Sequence, residues 1–354
     1  MPPDRHMPNG AQAKREAQGL TTTARLGPEW LAHRYDESTD QIRFVDYDRA
    51  TRVAVPFLTD QYLPARPFRA LGRDEARQAA PSMAPVHFIF HSGFCCSTLL
   101  AACFDQPGLA SSFSEPMILN DVVGWRNRGA APAAVGALLN DVLNLLARPF
   151  PGDALSVVKP STLSNGLASA MLRLRPDARA ILIHAPLGDF LTSIAKKGLD
   201  GRLWVRDLFM KMRREGLTQS LGFDDEAFFR QTDLQIAACC WLGQQAIFGN
   251  LTEAFADRVR TIDSKRFLAD SEGTLGAAGR LFGAALSGEQ VAAALAGPLQ
   301  RNSKDRSAFS SDDRAAEYAR ARDAYGEEVR KVEAWAGEVA KVAGIALQLP
   351  APLL

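Results

Sequence analysis

The stretch His91-Ser92-Gly93-Phe94-Cys95-Cys96-Ser97-Thr98 lies between an apolar run, Val86 to Phe90, and a helical pattern that begins near Ser97. A strand feeding a helix through a short loop leaves backbone N–H groups and the positive end of the helix dipole at the turn, and both suit a phosphate or sulfate. The stretch has the span of the nucleotide loop G-x-x-x-x-G-K-[ST]. Thr98 takes the hydroxyl position, while Ser97 stands on the lysine, Cys96 on the second glycine and His91 on the first. A nucleotide triphosphatase needs that lysine on the β- and γ-phosphates. The spacing therefore argues against ATP or GTP hydrolysis and leaves room for a less charged phosphate. An ordinary strand-to-helix turn without a ligand would read the same way.

The cysteines do not suggest another chemistry. Cys95-Cys96 and Cys239-Cys240 are adjacent in sequence, Cys103 stands alone, and none has C-x-x-C spacing. Adjacent cysteines rarely aim both sulfurs at one ion, so a four-thiol zinc site is a poor reading. Small apolar packing groups are the simpler one. No carboxylate cluster has hard-metal spacing, so no metal is expected.

These residues need a scaffold, and composition bounds it. A chain of 354 residues with 41 Lys+Arg against 40 Asp+Glu has a formal charge of +1. Nothing overall favours nucleic acid or an anionic membrane. The first residues, "MPPDRHMPNGAQAKREAQG", lack the apolar stretch of a signal peptide, and "APAAVGALLNDVLNLLARPF" is broken by Asn140 and Asp141. The expectation is a cytoplasmic protein without membrane insertion.

Strand and helix patterns then alternate. "VHFIFH", "LASSFSEP", "ALSVVKP", "RAILIHAP" and "DRVRTID" read as strands. Helical patterns follow at "STLLAACFD", "APAAVGALLNDVLNLLAR", "STLSNGLASAMLRLRP" and "GDFLTSIAKKG", the last closed by Gly198, with more helix over residues 203–256. Alternation of this kind implies right-handed crossovers and a parallel sheet covered on both faces. The expected fold class is α/β, a three-layer P-loop-like fold with a central parallel sheet and helices on both faces. Before it, "DQIRFVDYDRATRVAVPFL" reads as a hairpin turning at "DYDRAT". At the end, Tyr318, Tyr325, Val329, Val332, Val339 and Val342 recur at helical spacing and predict a packed terminal helix. The expected organisation is a disordered tail over 1–25, a hairpin and approach segment over 26–85, the α/β domain over 86–311 and the packed helix over 312–354.

In their order, "HSG…STLL", "LSVVKPS", "RPDARAILIHAPLGDFLTS", "VRTIDSKRFLADSEGTLGAAGRLFG" and "LQRNSKDRSAF" resemble the sulfotransferase family, enzymes that use 3′-phosphoadenosine 5′-phosphosulfate on a P-loop-type α/β fold. The resemblance covers roughly residues 86–310. It implies that Ser92, Gly93, Cys96, Ser97 and Thr98 cradle the 5′-side anion. It implies that Ser193 grips the 3′-phosphate, and that a basic loop with Arg301, Lys304 and Arg306 closes over the nucleotide. Two departures stand out. Ala185 occupies the place of the family's arginine after the strand histidine, and the loop lysine is absent. Lys196 and Lys197 could supply charge to the phosphate from another direction.

The resemblance also implies a reaction, in-line transfer of a sulfuryl group from the donor to a hydroxyl or amine of a small-molecule or glycan acceptor. Such a displacement needs positioning and charge stabilisation. Lys159, at the end of its strand, is the first candidate for the charge and His91 the second. Glu115 is the candidate base. Each has a plainer role available: His91 as a hydrogen-bond partner of the loop, Glu115 as a helix cap, Lys159 as a solvated charge. His184 reads as a core histidine. Trp204, Phe209, Phe228, Phe229 and Trp241 suit an acceptor wall or the core equally. A catalytically silent nucleotide-binding descendant of the fold and a P-loop kinase stay open as alternatives, and so does a homo-oligomer.

Overall fold

The computed structural model describes residues 25–300 and 311–354. Apart from Arg25, the tail expected over 1–25 lies outside them, and so does the basic run of Arg301, Lys304 and Arg306.

Among the described residues, eight strands form two sheets: β1 (Trp30–Asp36), β2 (Gln41–Asp46), β3 (Phe68–Gly72), β4 (Val86–His91), β5 (Ala110–Ser114), β6 (Leu155–Lys159), β7 (Ala180–His184) and β8 (Val259–Asp263). The central sheet runs β5-β6-β4-β7-β8, and every neighbouring pair is parallel. The five expected strands are thus the five found, with β4 in the middle.

Period-two alternation on these strands builds two cores. Ile89, Val157, Ile181 and Ile183 point into one core, with the helices Ser97–Phe104, Leu187–Ala195, Gly198–Arg214 and Asp233–Ala254 packed over them. Phe88, Phe90, Val158 and Leu182 point into the other. That core is closed by the helices Met117–Asn127 and Pro132–Leu146 and by the small antiparallel sheet β1-β2-β3. Each such side chain fully removed from water stabilises the fold by about 1.5–3 kcal/mol. The result is a three-layer α/β fold of P-loop-like type.

Local chemistry sets where the helices start. Pro116 and Pro186 precede the helices that follow β5 and β7, and Pro132 stands in the first turn of its own helix. Thr232 and Gln235 form a capping box at the head of the helix Asp233–Ala254. Because all five strands are parallel, His91, Ser114, Lys159, His184 and Asp263 end on one edge of the sheet, the edge where such folds place ligands.

Four expectations are corrected. The segment "DYDRAT" does not turn a hairpin: Asp48 accepts the Thr51 N–H and caps the short helix Arg49–Val53. The hairpin instead joins β1 to β2 at residues 37–40, with Asp40 in the left-handed region. The helix expected over "STLSNGLASAMLRLRP" begins as a 3-10 turn, Thr162–Leu167, before the α-helix Ala168–Leu174. There the Asn165 amide donates to His91 O and Gln244 Oε1 instead of facing water. Gly198 has the expected positive φ, but it opens the next helix, and the preceding one ends at Ala195. On the terminal helix, Ser311–Ala343, Tyr318, Val329, Val332 and Val339 are buried as the stripe requires, whereas Val342 is 88% exposed.

Candidate active site

A cleft of about 500 Å³ opens at the ligand edge, between the 91–98 loop, the ends of β5 and β6, and the helix Gly198–Arg214. Its floor is the loop. Ser92 N donates to Ile183 O, and Ser92 Oγ accepts the Ala185 N–H at 3.3 Å, so the loop is pinned to the end of β7. Gly93 N–H donates to His91 Nδ1 at 3.2 Å, which leaves the ring proton on Nε2, 3.0 Å from Pro160 O. His91 thus bridges the loop and the segment after β6.

The backbone of the loop is unusual. Gly93, Phe94 and Cys96 have φ of 86°, 52° and 62°. Left-handed conformations cost non-glycine residues roughly 1–2 kcal/mol each, and such strain persists where surrounding contacts over-determine it. Here Phe94 packs edge-on against Phe190 and Trp204. Cys96 then starts the helix Ser97–Phe104 and makes no side-chain capping hydrogen bond, while the Cys95 thiol meets the Ser97 N–H. The other N–H groups of the first turn suit an anion.

Glu115 has φ of 49°, although it precedes a proline, a context that favours extended backbone. Its N–H donates to Lys159 O at 2.6 Å, and its carboxylate lies 2.5 Å from Lys159 Nζ and 3.6 Å from His91 Nε2. Lys159 is fully buried, with its ammonium 4.9 Å from the Phe57 ring centre. The Glu115 side chain retains 19% exposure. The cation is thus enclosed, and the carboxylate is the member of the pair that meets the cleft.

The structure gathers His91, Gly93, Cys96, Ser97, Thr98, Glu115, Lys159 and Lys197 around this one cleft, with Ser92 directly beneath it. Ser193 lies elsewhere. Its hydroxyl donates to Asp189 O and meets the Tyr318 hydroxyl at 2.5 Å. Lys196 and Lys197 do not act together: Lys196 pairs with Glu317 at 2.9 Å, and Lys197 borders the cleft. Arg301 and Lys304 lie outside the described residues. Trp204 lines the cleft and is 41% exposed, whereas Phe209, Phe228 and Trp241 are core and Phe229 is 85% exposed. His184 is outside the cleft, and burial holds its imidazole below the usual pKa.

Sequence reasoning missed Asn120, Ser161, Asp200, Asp207 and Lys211 on the cleft wall. Ser161 was within reach, since it follows the end of β6 directly. Its hydroxyl donates to Asn120 Oδ1 at 2.6 Å. Cys95, Cys103, Cys239 and Cys240 are buried and behave as packing groups, whereas Cys96 borders the cleft. Burial pushes the Cys103 and Cys239 thiols up to about 12 and raises those of Cys95 and Cys240 as well, far from the thiolate form a nucleophile requires. Among the described residues, no group of three or more His, Cys, Asp or Glu side chains could hold a metal ion, and no helix is long and apolar enough to cross a membrane.

No protein-family model matches the chain, and no curated protein matches it. Among solved structures, a sulfotransferase domain from the curacin biosynthetic pathway is similar at a TM-score of 0.36 and 14% identity, covering 63% of this chain and 80% of that one. A sulfotransferase domain from the olefin synthase of Synechococcus PCC 7002 is similar at a TM-score of 0.35 and 15% identity, covering 66% and 84%. Likenesses at these values carry no argument about activity.

Proposed function

We propose that the cleft binds 3′-phosphoadenosine 5′-phosphosulfate and transfers its sulfuryl group to a hydroxyl or amine of a small-molecule or glycan acceptor. The observation that carries this reading is the Lys159–Glu115 pair, held at the carboxyl edge of the sheet in the same cleft as the first turn of Ser97–Phe104. The loop N–H groups with Ser97 and Thr98 hold the 5′-side anion. The acceptor oxygen or nitrogen attacks sulfur as the bond from sulfur to the phosphate oxygen breaks. The acceptor's proton passes to Glu115, and the Lys159 ammonium balances the negative charge on the transferring oxygens. A preorganised charge in a site shielded from water is worth far more than the same charge in solution.

A second reading has its own support. Ala185 supplies no cation where the resemblance calls for arginine, and Ser193 is engaged by Tyr318. These favour a protein that binds a nucleotide without transferring sulfate.

Calorimetric titration with adenosine 3′,5′-bisphosphate, ATP and GTP, paired with a transfer assay from the labelled donor, separates the readings. The bisphosphate should bind and the triphosphates should not. Lys159→Ala should retain most of that affinity while losing about 10²–10³-fold in turnover. Preferential binding of ATP would replace the reading with a kinase. Bisphosphate binding without transfer to any acceptor would replace it with the silent form.

A further inference from the structure

A second cavity, of about 300 Å³, lies on the far side of the helix Ser97–Phe104 from the cleft, beside β5. Thr98 lines both spaces, and the segment 55–58 divides them, with Phe57 facing the cleft and Val55, Pro56 and Leu58 facing the cavity. Most of its wall is apolar, contributed by Val55, Leu58, Leu99, Ala102 and Pro298. β5 is the edge strand of the central sheet, and among the described residues no further strand pairs with its outer side.

The polar groups around the cavity are poorly matched to one another. Arg52 borders it and is 4% exposed. Its Nη2 donates to Pro28 O and Glu29 O at 2.6 and 2.9 Å, and its Nε has no partner. The guanidinium stacks over Phe113 and Phe150, and no carboxylate among the described residues pairs with it. Burial pulls its pKa down to about 9. The hydroxyl oxygens of Ser112 and Ser114, also on the lining, are buried without partners. The one acid on the wall, Asp105, is engaged by Arg49 at 2.8 Å. Asp105 also lies close enough to act on the Arg52 charge without a direct ion pair. A buried guanidinium with an unpartnered N–H is costly, and so is a buried hydroxyl without a partner.

We infer that this cavity is a binding site for a small apolar carboxylate. The carboxylate accepts from the Arg52 guanidinium and the Ser112 and Ser114 hydroxyls, and the hydrocarbon body lies on Leu58, Leu99, Ala102 and Pro298. A concave, mostly apolar space with a few convergent polar groups is the usual form of a small-molecule site. This assignment does not depend on the chemistry proposed for the cleft.

The test is calorimetric titration of the full chain with hexanoate at pH 7.5, with 1-hexanol as the uncharged control. Hexanoate should saturate one site per chain and bind at least tenfold more tightly than hexanol. Arg52→Met should erase that preference. Ala102→Phe fills the cavity without replacing Arg52, and it should abolish hexanoate binding while leaving the far-UV circular dichroism spectrum and cooperative urea unfolding of the parent intact. If Arg52→Met does not fold, the comparison with hexanol and the Ala102→Phe variant decide. No saturable hexanoate binding, equal binding of hexanol, or hexanoate binding that survives Ala102→Phe would each overturn the assignment.

Discussion

His87 lies on β4 among apolar neighbours, stacked on Phe282 at 5.1 Å, and its Nδ1 accepts the Arg179 N–H at 3.1 Å. Burial lowers its pKa to about 4, whereas an unfolded chain holds histidine near 6.5. The stability gained by keeping this ring neutral is fully present above about pH 6.5 and is lost as pH falls through about 4, because the unfolded chain takes up the proton first. The gap corresponds to roughly 3 kcal/mol. His87→Phe keeps the stacking and removes the titration. It should be less stable at pH 7.5 by roughly 1 kcal/mol, for the lost acceptor, yet lose less between pH 6.5 and 4. Urea midpoints across that range check this, and equal losses in both proteins would refute it. Lys159 and Glu115 show what single residues disclose and what they hide. Each stands at a strand end, so its place at the ligand edge follows from the pattern alone. Their pairing depends on the register of Ser114 against Lys159 and on the left-handed backbone of Glu115, and no local sequence signal encodes either.

Among the elements, β4, β6 and β7 were legible because each is a largely apolar run bounded by turn residues, and β5 (ASSFS) and β8 (VRTID) because they stand where the alternation of strand and helix calls for a strand. The N-terminal sheet was not. β3, "FRALG", has no buried residue in its pattern, and its partner β2 is recognisable as a strand only on one side. "DYDRAT" offers a turn and an N-cap with the same residues, and tertiary packing chose the cap. The loop–helix junction at Cys96 is a sharper case. The adjacent thiols read as small packing groups, and the structure adds a left-handed φ of 62° at Cys96 that the pattern does not announce. Asparagine tolerates that conformation and a β-branched residue does not. Cys96→Asn should therefore keep its urea midpoint close to that of the parent, and Cys96→Val should lose about 1–2 kcal/mol. A Cys96→Val protein as stable as the parent would show that the junction is not fixed in this conformation.

At the scale of the whole molecule, the sheet has two edges and the chain treats them differently. Beside β5, Leu58 N donates to Ser114 O and Ala110 N to Gln106 O, while Ser112 and Ser114 border the cavity at Arg52. On the opposite side, residues 350–353 return to cover β8. Thr261 N donates to Ala351 O and Leu353 N to Thr261 O, both at 2.8 Å, and the Thr261 hydroxyl donates to Pro350 O at the same distance. Leu353 and Leu354 rest on the core that contains Ile181 and Ile183. An uncovered strand edge is a template for pairing with another chain, and this return occupies the β8 edge at Thr261. Nothing in "QLPAPLL" announces that role, because a short extended segment gains its order from the edge it meets and not from its own pattern. Deleting residues 350–354 removes three hydrogen bonds, worth on the order of 1 kcal/mol each, together with the cover over the core. The melting temperature should fall by roughly 4–8 °C, and light scattering should show association that grows with protein concentration. A truncated chain that melts with the parent and stays monomeric would mean that the terminal segment does not hold the β8 edge in solution.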